Sequence, residues 1–264
     1  MATEFETVRV DVEDGVGTIT LNRPAKRNAV TYQLCVDLLA AVQQVDGDES
    51  VQIVLVRGAG PTFCAGADVS ERAGKNEAWV RDRRMRGFAA YDALQECGKP
   101  CIAVAHGPVI GSGAEIASAC DFIIGSELAS FRYPETVRGS VGAGQRLVRI
   151  VGKHMAKYLL FTGRTIDAQE AFRIGLLQLL VPGDKLEETV QGVVADIKAA
   201  FPLSVHLMKR CLDWGIESDL RTGMAFERMA IDRQLASGDW RKGVDNFIAE
   251  RAAIRAERAP ESKQ

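Results

Sequence analysis

The stretch that most constrains the fold is Gly107-Pro108-Val109-Ile110-Gly111-Ser112-Gly113-Ala114-Glu115. An apolar strand is predicted before it, over Cys101 to His106, and a helical pattern follows from Gly113 to Ala119. The free N–H groups of the first helical turn and the positive end of the helix dipole would favour a negatively charged oxygen at this turn. Ser112 and Glu115 also have the spacing of a capping box, in which they would only close the helix start. The local sequence leaves both interpretations open.

Strands and helices alternate on either side of this turn. The predicted elements are a hairpin of Val8 to Val12 with Val16 to Leu21, a helix capped by Thr31 and ending near Val45, a strand from Gln52 to Arg57, a helix ending near Cys97, and a strand from Asp121 to Ile124. Such alternation predicts an α/β core with a mostly parallel sheet.

The pattern changes after Gly142, where helices dominate. They are predicted over about 143 to 150, 153 to 161, 167 to 174, 185 to 200, 203 to 214, 218 to 236 and 240 to 257. The only strand expected in this half is Leu177 to Val181. We therefore predict an α/β core over residues 1–200 and a helical C-terminal region over residues 201–264.

The composition is that of an ordinary globular protein. The chain has 264 residues, of which 47% are hydrophobic and 26% charged, and its net charge of -2 argues against nucleic acid as a partner. The six cysteines are scattered without a CxxC pair, so we expect reduced thiols and no metal site. Met1 to Val10 has no apolar block, and no apolar run reaches the ~18 residues that a membrane span needs. We expect a cytoplasmic protein without a membrane anchor.

Two further stretches are candidates for chemistry. Phe63-Cys64-Ala65-Gly66-Ala67-Asp68 places small residues directly after a strand, where the backbone can approach a ligand. The alternative interpretation is an ordinary loop in which Asp68 only caps the next turn. Phe131-Arg132-Tyr133-Pro134-Glu135 ends in a carboxylate that, alone, would be an ordinary loop residue. Together, Glu115 and Glu135 form a pair of carboxylates that can divide acid and base roles if their environments differ.

Several other enzyme classes are excluded by spacing. Gly111-Ser112-Gly113 lacks the outer glycines of a nucleophile elbow, and none of the three histidines has a visible catalytic partner. The stretch from Gly139 to Gly144 has neither the lysine of a phosphate-binding loop nor the glycine order of a dinucleotide fold. We therefore expect no cofactor.

Taken together, these stretches resemble the crotonase superfamily, specifically its enoyl-CoA hydratases and isomerases. The matching segments are Leu21-Asn22-Arg23-Pro24 with Asn28-Ala29, Phe63 to Asp68, Gly111 to Glu115, Asp121 with Phe131 to Glu135, Gly163 to Ala168 with Ala171 and Gly175-Leu176, and Ser237-Gly238-Asp239 with Phe247 and Arg251. They lie in register over nearly the whole chain.

The resemblance implies a spiral of ββα units with a helical C-terminal trimerisation region, built into trimers or dimers of trimers. It implies that the backbone N–H groups of Ala67 and Ser112 form an oxyanion hole, and that Glu115 and Glu135 are the catalytic pair. The residues that it places at the substrate and its coenzyme A moiety are Lys26, Arg27, Ala65, Ala67, Asp68, Val69, Ser70 and Ser112. Coenzyme A would be part of the substrate and not a separate cofactor.

Three positions depart from the family pattern. Ser112 replaces the middle one of three glycines, so the backbone donor is kept while a side chain is added. Arg132 and Tyr133 replace smaller or neutral residues, and Arg132 is expected to lower the pKa of Glu135 or to bind an acidic acyl group. The loop from Gly139 to Gln145 is about three residues shorter than is usual in the family and lacks its proline.

The leading hypothesis is therefore an enoyl-CoA hydratase, a lyase acting in fatty acid, amino acid or aromatic acid breakdown. Glu135 would handle the α-carbon proton, and Glu115 would orient and activate the water. The alternatives are another crotonase reaction, namely isomerisation, thioester hydrolysis or carbon–carbon cleavage, and a non-catalytic scaffold that binds coenzyme A or RNA. Two intact glutamates favour hydration, and the absence of a basic block argues against the scaffold.

Overall fold

The computed structural model describes residues 2–258 of the chain. Its contacts divide the chain into a first compact unit that ends at Lys198 and a second that begins at Ala199. The predicted organisation, with a core over residues 1–200 and a helical region over 201–264, stays a prediction about domains. Among the described residues, no helix combines the length and the apolar character needed to cross a bilayer.

The strands within the described residues are short. They are β1 (Ala2–Glu4), β2 (Val8–Glu13), β3 (Val16–Leu21), β4 (Ile53–Gly58), β5 (Cys101–Ala105), β6 (Pro108–Ile110), β7 (Phe122–Ser126), β8 (Ser130–Arg132), β9 (Thr165–Asp167) and β10 (Leu179–Val181). The α-helices are α1 (Tyr32–Gly47), α2 (Glu77–Glu96), α3 (Ser112–Ala119), α4 (Gly144–Thr162), α5 (Ala168–Arg173), α6 (Leu186–Ala199), α7 (Pro202–Ile216), α8 (Leu220–Ser237) and α9 (Asp239–Arg258).

The larger sheet has seven strands in the order β1-β2-β3-β4-β5-β7-β10. The hairpin of β2 and β3 is antiparallel, and all pairs from β3 to β10 are parallel. This confirms the predicted α/β core with a mostly parallel sheet. Both faces of the sheet are covered, because Val54 and Val56 of β4 belong to one buried cluster while Ile53 and Leu55 belong to another.

The second sheet has the order β6-β8-β9, and the sequence did not predict it. Each of its strands has only three residues, which is too short to show a hydrophobic period. The expectation of a single strand in the C-terminal half is therefore wrong, since β9 accompanies β10. This small sheet matters for function because β6 leads into α3 and β8 leads to Glu135.

The predicted helix starts and breaks are largely confirmed. Thr31 caps α1, with its hydroxyl oxygen accepting a hydrogen bond from the Leu34 N–H at 3.1 Å. The two helices predicted around residue 152 are joined as α4, in which Gly152 has a non-helical backbone with φ of 77°. Only glycine adopts this conformation at little cost, so the break follows from the residue type.

A buried asparagine fixes the loop that follows β4. Asn28 is fully buried, and its side-chain amide nitrogen lies 2.9, 2.8 and 3.1 Å from the carbonyl oxygens of Ala59, Thr62 and Phe63. Its side-chain oxygen accepts a hydrogen bond from the Arg23 N–H at 2.9 Å. The asparagine therefore satisfies buried backbone groups in the loop that leads into Phe63 to Asp68.

We predict that Asn28→Ala lowers the free energy of unfolding by about 2–4 kcal/mol, because several buried backbone groups lose their only side-chain partner. Urea unfolding measures the change. The matched control is Asn22→Ala, since Asn22 is exposed, and this variant should stay within about 0.5 kcal/mol of wild type. Equal losses in the two variants would contradict the role assigned to Asn28.

Candidate active site

The site is built where two loop segments pair side by side. The Cys64 N–H donates to the Pro108 carbonyl at 3.1 Å, and the Ile110 N–H donates to the Cys64 carbonyl at 2.9 Å. Glycines make this approach possible, because a Cβ on Gly66 would lie 2.8 Å from the Ile110 oxygen and one on Gly113 would lie 2.6 Å from the Cys64 Cβ. The two candidate stretches are therefore held together.

Ala67 and Ser112 line one cavity of about 120 Å³ between these segments. The residues on either side of Ala67 are engaged with Val30, since Gly66 accepts at 2.8 Å and Asp68 donates at 2.9 Å. Among the described residues, neither the Ala67 N–H nor the Ser112 N–H has an acceptor. Ser112 is the first residue of α3, so its N–H is one of those that a helix leaves unpaired. Two backbone donors are thus available to a ligand oxygen.

The capping-box interpretation of Ser112 and Glu115 is wrong. The residue that precedes α3 is Gly111, and no side chain caps the helix. Glu115 turns away from the helix start, and its Oε1 accepts a hydrogen bond from the Ala143 N–H at 2.9 Å. The carboxylate therefore lines the cavity and remains available for chemistry.

Glu115 and Glu135 come close to a common point beside Gly142. A Cβ on Gly142 would lie 3.8 Å from Glu115 Oε1 and 3.6 Å from Glu135 Cγ. A Cβ on Gly111 would lie 3.0 Å from Glu135 Oε1, which places this carboxylate next to the start of α3. The other oxygen, Glu135 Oε2, is buried and has no hydrogen-bond partner among the described residues. Both carboxyl groups thus face the cavity that the two donors line.

Burial raises the pKa of both glutamates. For Glu115, the hydrogen bond from Ala143 and the charges of Arg146 and Arg84 offset part of the rise. For Glu135, the charge of Glu115 raises the pKa further, and Arg138 and Arg84 offset part of it. Since each carboxylate disfavours ionisation of the other, the two titrate as a coupled pair in which one tends to keep its proton.

The role expected of Arg132 is wrong. Its Nε donates to the Gly163 carbonyl at 2.7 Å, and the residue is not part of the cavity lining. The pKa of Glu135 is raised, not lowered, and Arg132 is not among the charges that act on it. Tyr133 is fully buried beneath this segment.

The residues predicted to contact coenzyme A divide into two groups. Ala65, Ala67 and Val69 line the cavity together with Ser112. Asp68, Ser70, Lys26 and Arg27 do not line it, and the last two are exposed.

Asp68 has a structural role that is well defined. Its carboxylate accepts hydrogen bonds from the Ser70 N–H at 3.2 Å and the Ser70 hydroxyl at 2.6 Å, and pairs with Arg23 at 3.2 Å. This is the capping role that the sequence left open for Asp68.

Sequence analysis missed the arginines of the site. Arg72, Arg83, Arg84 and Arg138 line the same cavity as the two glutamates, together with Tyr91 of α2. The signal was present as the basic run Arg81-Asp82-Arg83-Arg84-Met85-Arg86 followed by a mid-helix glycine, Gly87. Read with a period of 3.6, this run puts Arg83, Gly87 and Tyr91 on one helix face.

The described residues contain no cluster of three or more His, Cys, Asp or Glu side chains that could hold a metal ion. The cavity brings together two carboxyl groups and two backbone donors. This combination can move a proton and stabilise a negative oxygen in the same cavity.

Comparison with known proteins connects this geometry to a family. The family model for enoyl-CoA hydratase/isomerase matches residues 11–255. A probable enoyl-CoA hydratase of Rhizobium meliloti is 37% identical, over 94% of this chain and 97% of that protein. A short-chain-enoyl-CoA hydratase of Clostridium acetobutylicum is 34% identical over the same shares. The crystal structure of an enoyl-CoA hydratase from Bacillus anthracis superposes with a TM-score of 0.87 at 35% identity, covering 93% of this chain and 97% of that one. The fold is thus the crotonase fold.

The raised pKa of Glu135 predicts a pH-dependent gain in stability for Glu135→Gln. In the unfolded chain this carboxyl titrates near its ordinary value of 4.5, whereas in the folded protein it holds its proton to higher pH. The folded state therefore binds more protons between these values, and the free energy of unfolding falls as the pH rises through them. Glutamine carries no such proton, so the variant should be more stable than wild type at pH about 7 and gain nothing at pH about 4.

Denaturant unfolding at the two pH values tests this expectation. The control is Glu170→Gln, because the half-buried Glu170 pairs with Arg173 at 2.6 Å, which lowers the pKa of Glu170. Removing that carboxylate should bring no gain at neutral pH. If Glu135→Gln is no more stable than wild type at neutral pH, the glutamate is not held in an environment that disfavours its charge.

Proposed function

The chain belongs to the enoyl-CoA hydratase/isomerase family, and we propose that it adds water to the double bond of a 2-enoyl-CoA thioester. The observation that carries the proposal is the cavity that two unengaged backbone N–H groups, at Ala67 and Ser112, line together with two half-buried glutamates. Several relatives of similar length are named enoyl-CoA hydratases, and one from Syntrophomonas wolfei is named a crotonyl-CoA hydratase.

The backbone donors would stabilise the charge that develops during the reaction. Addition of water to the β carbon moves negative charge onto the thioester oxygen, which gives an enolate-like species. Donors fixed by the pairing of the two loop segments need no reorganisation to meet this charge, and the positive end of α3 adds to their effect. Because the charge is larger in the transition state than in the bound substrate, the interaction lowers the barrier and does more than hold the substrate.

The glutamates would supply the proton transfers. Glu115, held by the Ala143 N–H and near positive charge, is the better candidate for the ionised base that orients and activates water. Glu135 has a pKa raised both by burial and by the charge of Glu115, which suits a group that delivers a proton to the α carbon. A double-bond isomerase needs one such group, so two carboxyl groups in one cavity favour hydration. No step requires a bound cofactor.

We also propose that the chain assembles into trimers or dimers of trimers. The helices of the second unit carry large apolar side chains with high exposed fractions, among them Leu212 (65%), Met229 (70%) and Phe247 (56%). Exposed apolar side chains on this scale are typical of a surface that a partner covers. A cytoplasmic location is proposed as well, since the six cysteines, all within residues 2–258, are thiols without a disulfide bond and five of them are buried.

The oxyanion donor of Ser112 can be removed by proline with little harm to the helix. Ser112 is the first residue of α3, a position at which helices accept proline because the N–H has no partner there. We expect Ser112→Pro to lower kcat by about 10²–10³. The control is Ser112→Ala, which keeps the N–H and removes only the hydroxyl, and it should stay within a few-fold of wild type. Equal effects of the two changes would show that the backbone donor is not used.

The roles of the glutamates are tested with a panel of 2-enoyl-CoA thioesters of different chain length, whose conjugated chromophore disappears on hydration. Wild type should consume at least one of them. We expect Glu115→Gln and Glu135→Gln each to lower kcat by about 10²–10⁴ while binding of the thioester is retained. Turnover at the wild-type rate by either folded variant would remove that glutamate from the mechanism.

A further inference from the structure

One wall of the active-site cavity is basic. Arg83, Gly87 and Tyr91 follow one another at intervals of four residues along α2, and Arg84 lies beside them. Gly87 allows the Tyr91 side chain to pack closely against this face, since a Cβ there would lie only 3.3 Å from the Tyr91 hydroxyl oxygen. Arg72, from the short 3₁₀ helix Val69–Arg72, joins the same wall.

Among residues 2–258, the hydrogen bonds of these guanidinium groups go to uncharged groups, and they form no ion pairs. Arg83 is buried and its Nη2 donates to the Val30 carbonyl at 2.5 Å, while Arg84 donates to the Val141 carbonyl and lies 3.3 Å from the Ser140 hydroxyl. The Nε of Arg72 is buried and has no hydrogen-bond partner among the described residues. Within residues 2–258, none of the three arginines forms an ion pair with a carboxylate.

The carboxylates nearby are committed elsewhere. Both oxygens of Glu71 accept the Tyr32 N–H, at 3.1 and 2.9 Å. Glu115 accepts the Ala143 N–H and is one carboxylate against three guanidinium groups, and burial raises the pKa of Glu135, which weakens it as a counter-ion. Burial and the charges of Arg83 and Arg84 lower the pKa of Arg72, as expected for like charges gathered in one place. The basic wall therefore has an excess of positive charge. A negatively charged group of a ligand can neutralise it.

We propose that the acyl group of the substrate ends in a carboxylate, which Arg72 binds at the basic wall with Arg83 and Arg84 beside it. The proposal rests on the hydratase function and names the substrate class of the same site: a 2-enoyl-CoA whose acyl chain comes from a dicarboxylic acid. The Tyr91 hydroxyl is a further donor on this wall, because it is buried and has no partner among the described residues.

The position of the arginines points to the acyl end of the substrate and away from the coenzyme A phosphates. They share a cavity of about 120 Å³ with the two backbone donors and both glutamates. A Cβ on Gly142 would lie 3.2 Å from Arg84 Nη2 and 3.8 Å from Glu115 Oε1, so the guanidinium lies beside the acid–base pair. In an acyl-CoA, the long pantetheine arm separates the phosphates from the thioester, whereas the acyl chain begins at the thioester carbon.

Binding of saturated thioesters tests this without relying on catalysis. Adipyl-CoA and hexanoyl-CoA have six-carbon acyl chains that differ only at the far end, and neither carries a double bond to hydrate. We expect calorimetry to show adipyl-CoA binding about tenfold or more tighter, because charge-assisted hydrogen bonds to arginine are among the strongest that proteins make. The preference should shrink as salt is added. Hydratase turnover of trans-2-hexenoyl-CoA is measured separately, so a failure of the proposed reaction is distinguished from a failure of this inference.

Three variants identify the group responsible. Arg72→Met should abolish most of the preference for adipyl-CoA, and Arg72→Lys, which keeps the charge without the planar fork, should restore part of it. Arg86→Met is the matched control, because Arg86 is exposed on α2, pairs with Asp82 at 3.2 Å and lines no part of the cavity. It removes the same charge from α2, the helix that carries Arg83 and Arg84, and should leave the preference in place.

Three outcomes would overturn the proposal. Equal affinity of wild type for the two thioesters would mean that the basic wall does not read the end of the acyl chain. Equal weakening of both thioesters by Arg72→Met would assign the arginine to a part that they share, such as a coenzyme A phosphate. A preference that survives in Arg72→Met would place the carboxylate on other residues.

Discussion

The whole site depends on the side-by-side pairing of Cys64, in the loop after β4, with Val109 of β6. Two backbone hydrogen bonds and the missing side chains of Gly66 and Gly113 bring the segments into contact. Their continuation places the free N–H groups of Ala67 and Ser112 on one cavity. Because these donors belong to the backbone, their positions are set by the fold, and side-chain changes such as the serine at 112 leave them in place.

The burial that makes the carboxyl groups of the cavity reactive also lowers the stability of the folded protein. Raised pKa values of Glu115 and Glu135 mean that their charged forms are disfavoured where they stand, and Glu135 Oε2 has no partner among the described residues. Such groups lower stability and are tolerated because the scaffold supplies stability elsewhere, as at the fully bonded Asn28. The polar groups of Asn28, outside the cavity, thus have hydrogen-bond partners, whereas Glu135 Oε2, at the cavity, has none among the described residues.

The parts of the fold that sequence predicted are those with a clear period or a strong local signal. The hairpin of β2 and β3 alternates, α1 has a capping threonine, and Gly152 breaks α4. The strands β6, β8 and β9 were missed because three residues cannot display a period, and their pairing depends on contacts between distant parts of the chain. The two glutamates and two backbone donors were found by resemblance. The direction in which the Arg132 side chain points was not predicted, because the Gly163 carbonyl that it contacts lies 31 residues away in the sequence.

Positive charge around the cavity gives the two glutamates a way to differ. Burial alone would favour the protonated form of both, which would leave no base to activate water. Arg84 and Arg146 act against burial at Glu115, and the Ala143 N–H does the same through a hydrogen bond, whereas Glu135 also feels the charge of Glu115. The environments are therefore unequal, and the asymmetry runs in the direction that an acid and a base require. Two glutamates have the same side chain, so a difference between their pKa values must come from neighbouring groups. Here the charged neighbours include arginines that lie outside the family motifs.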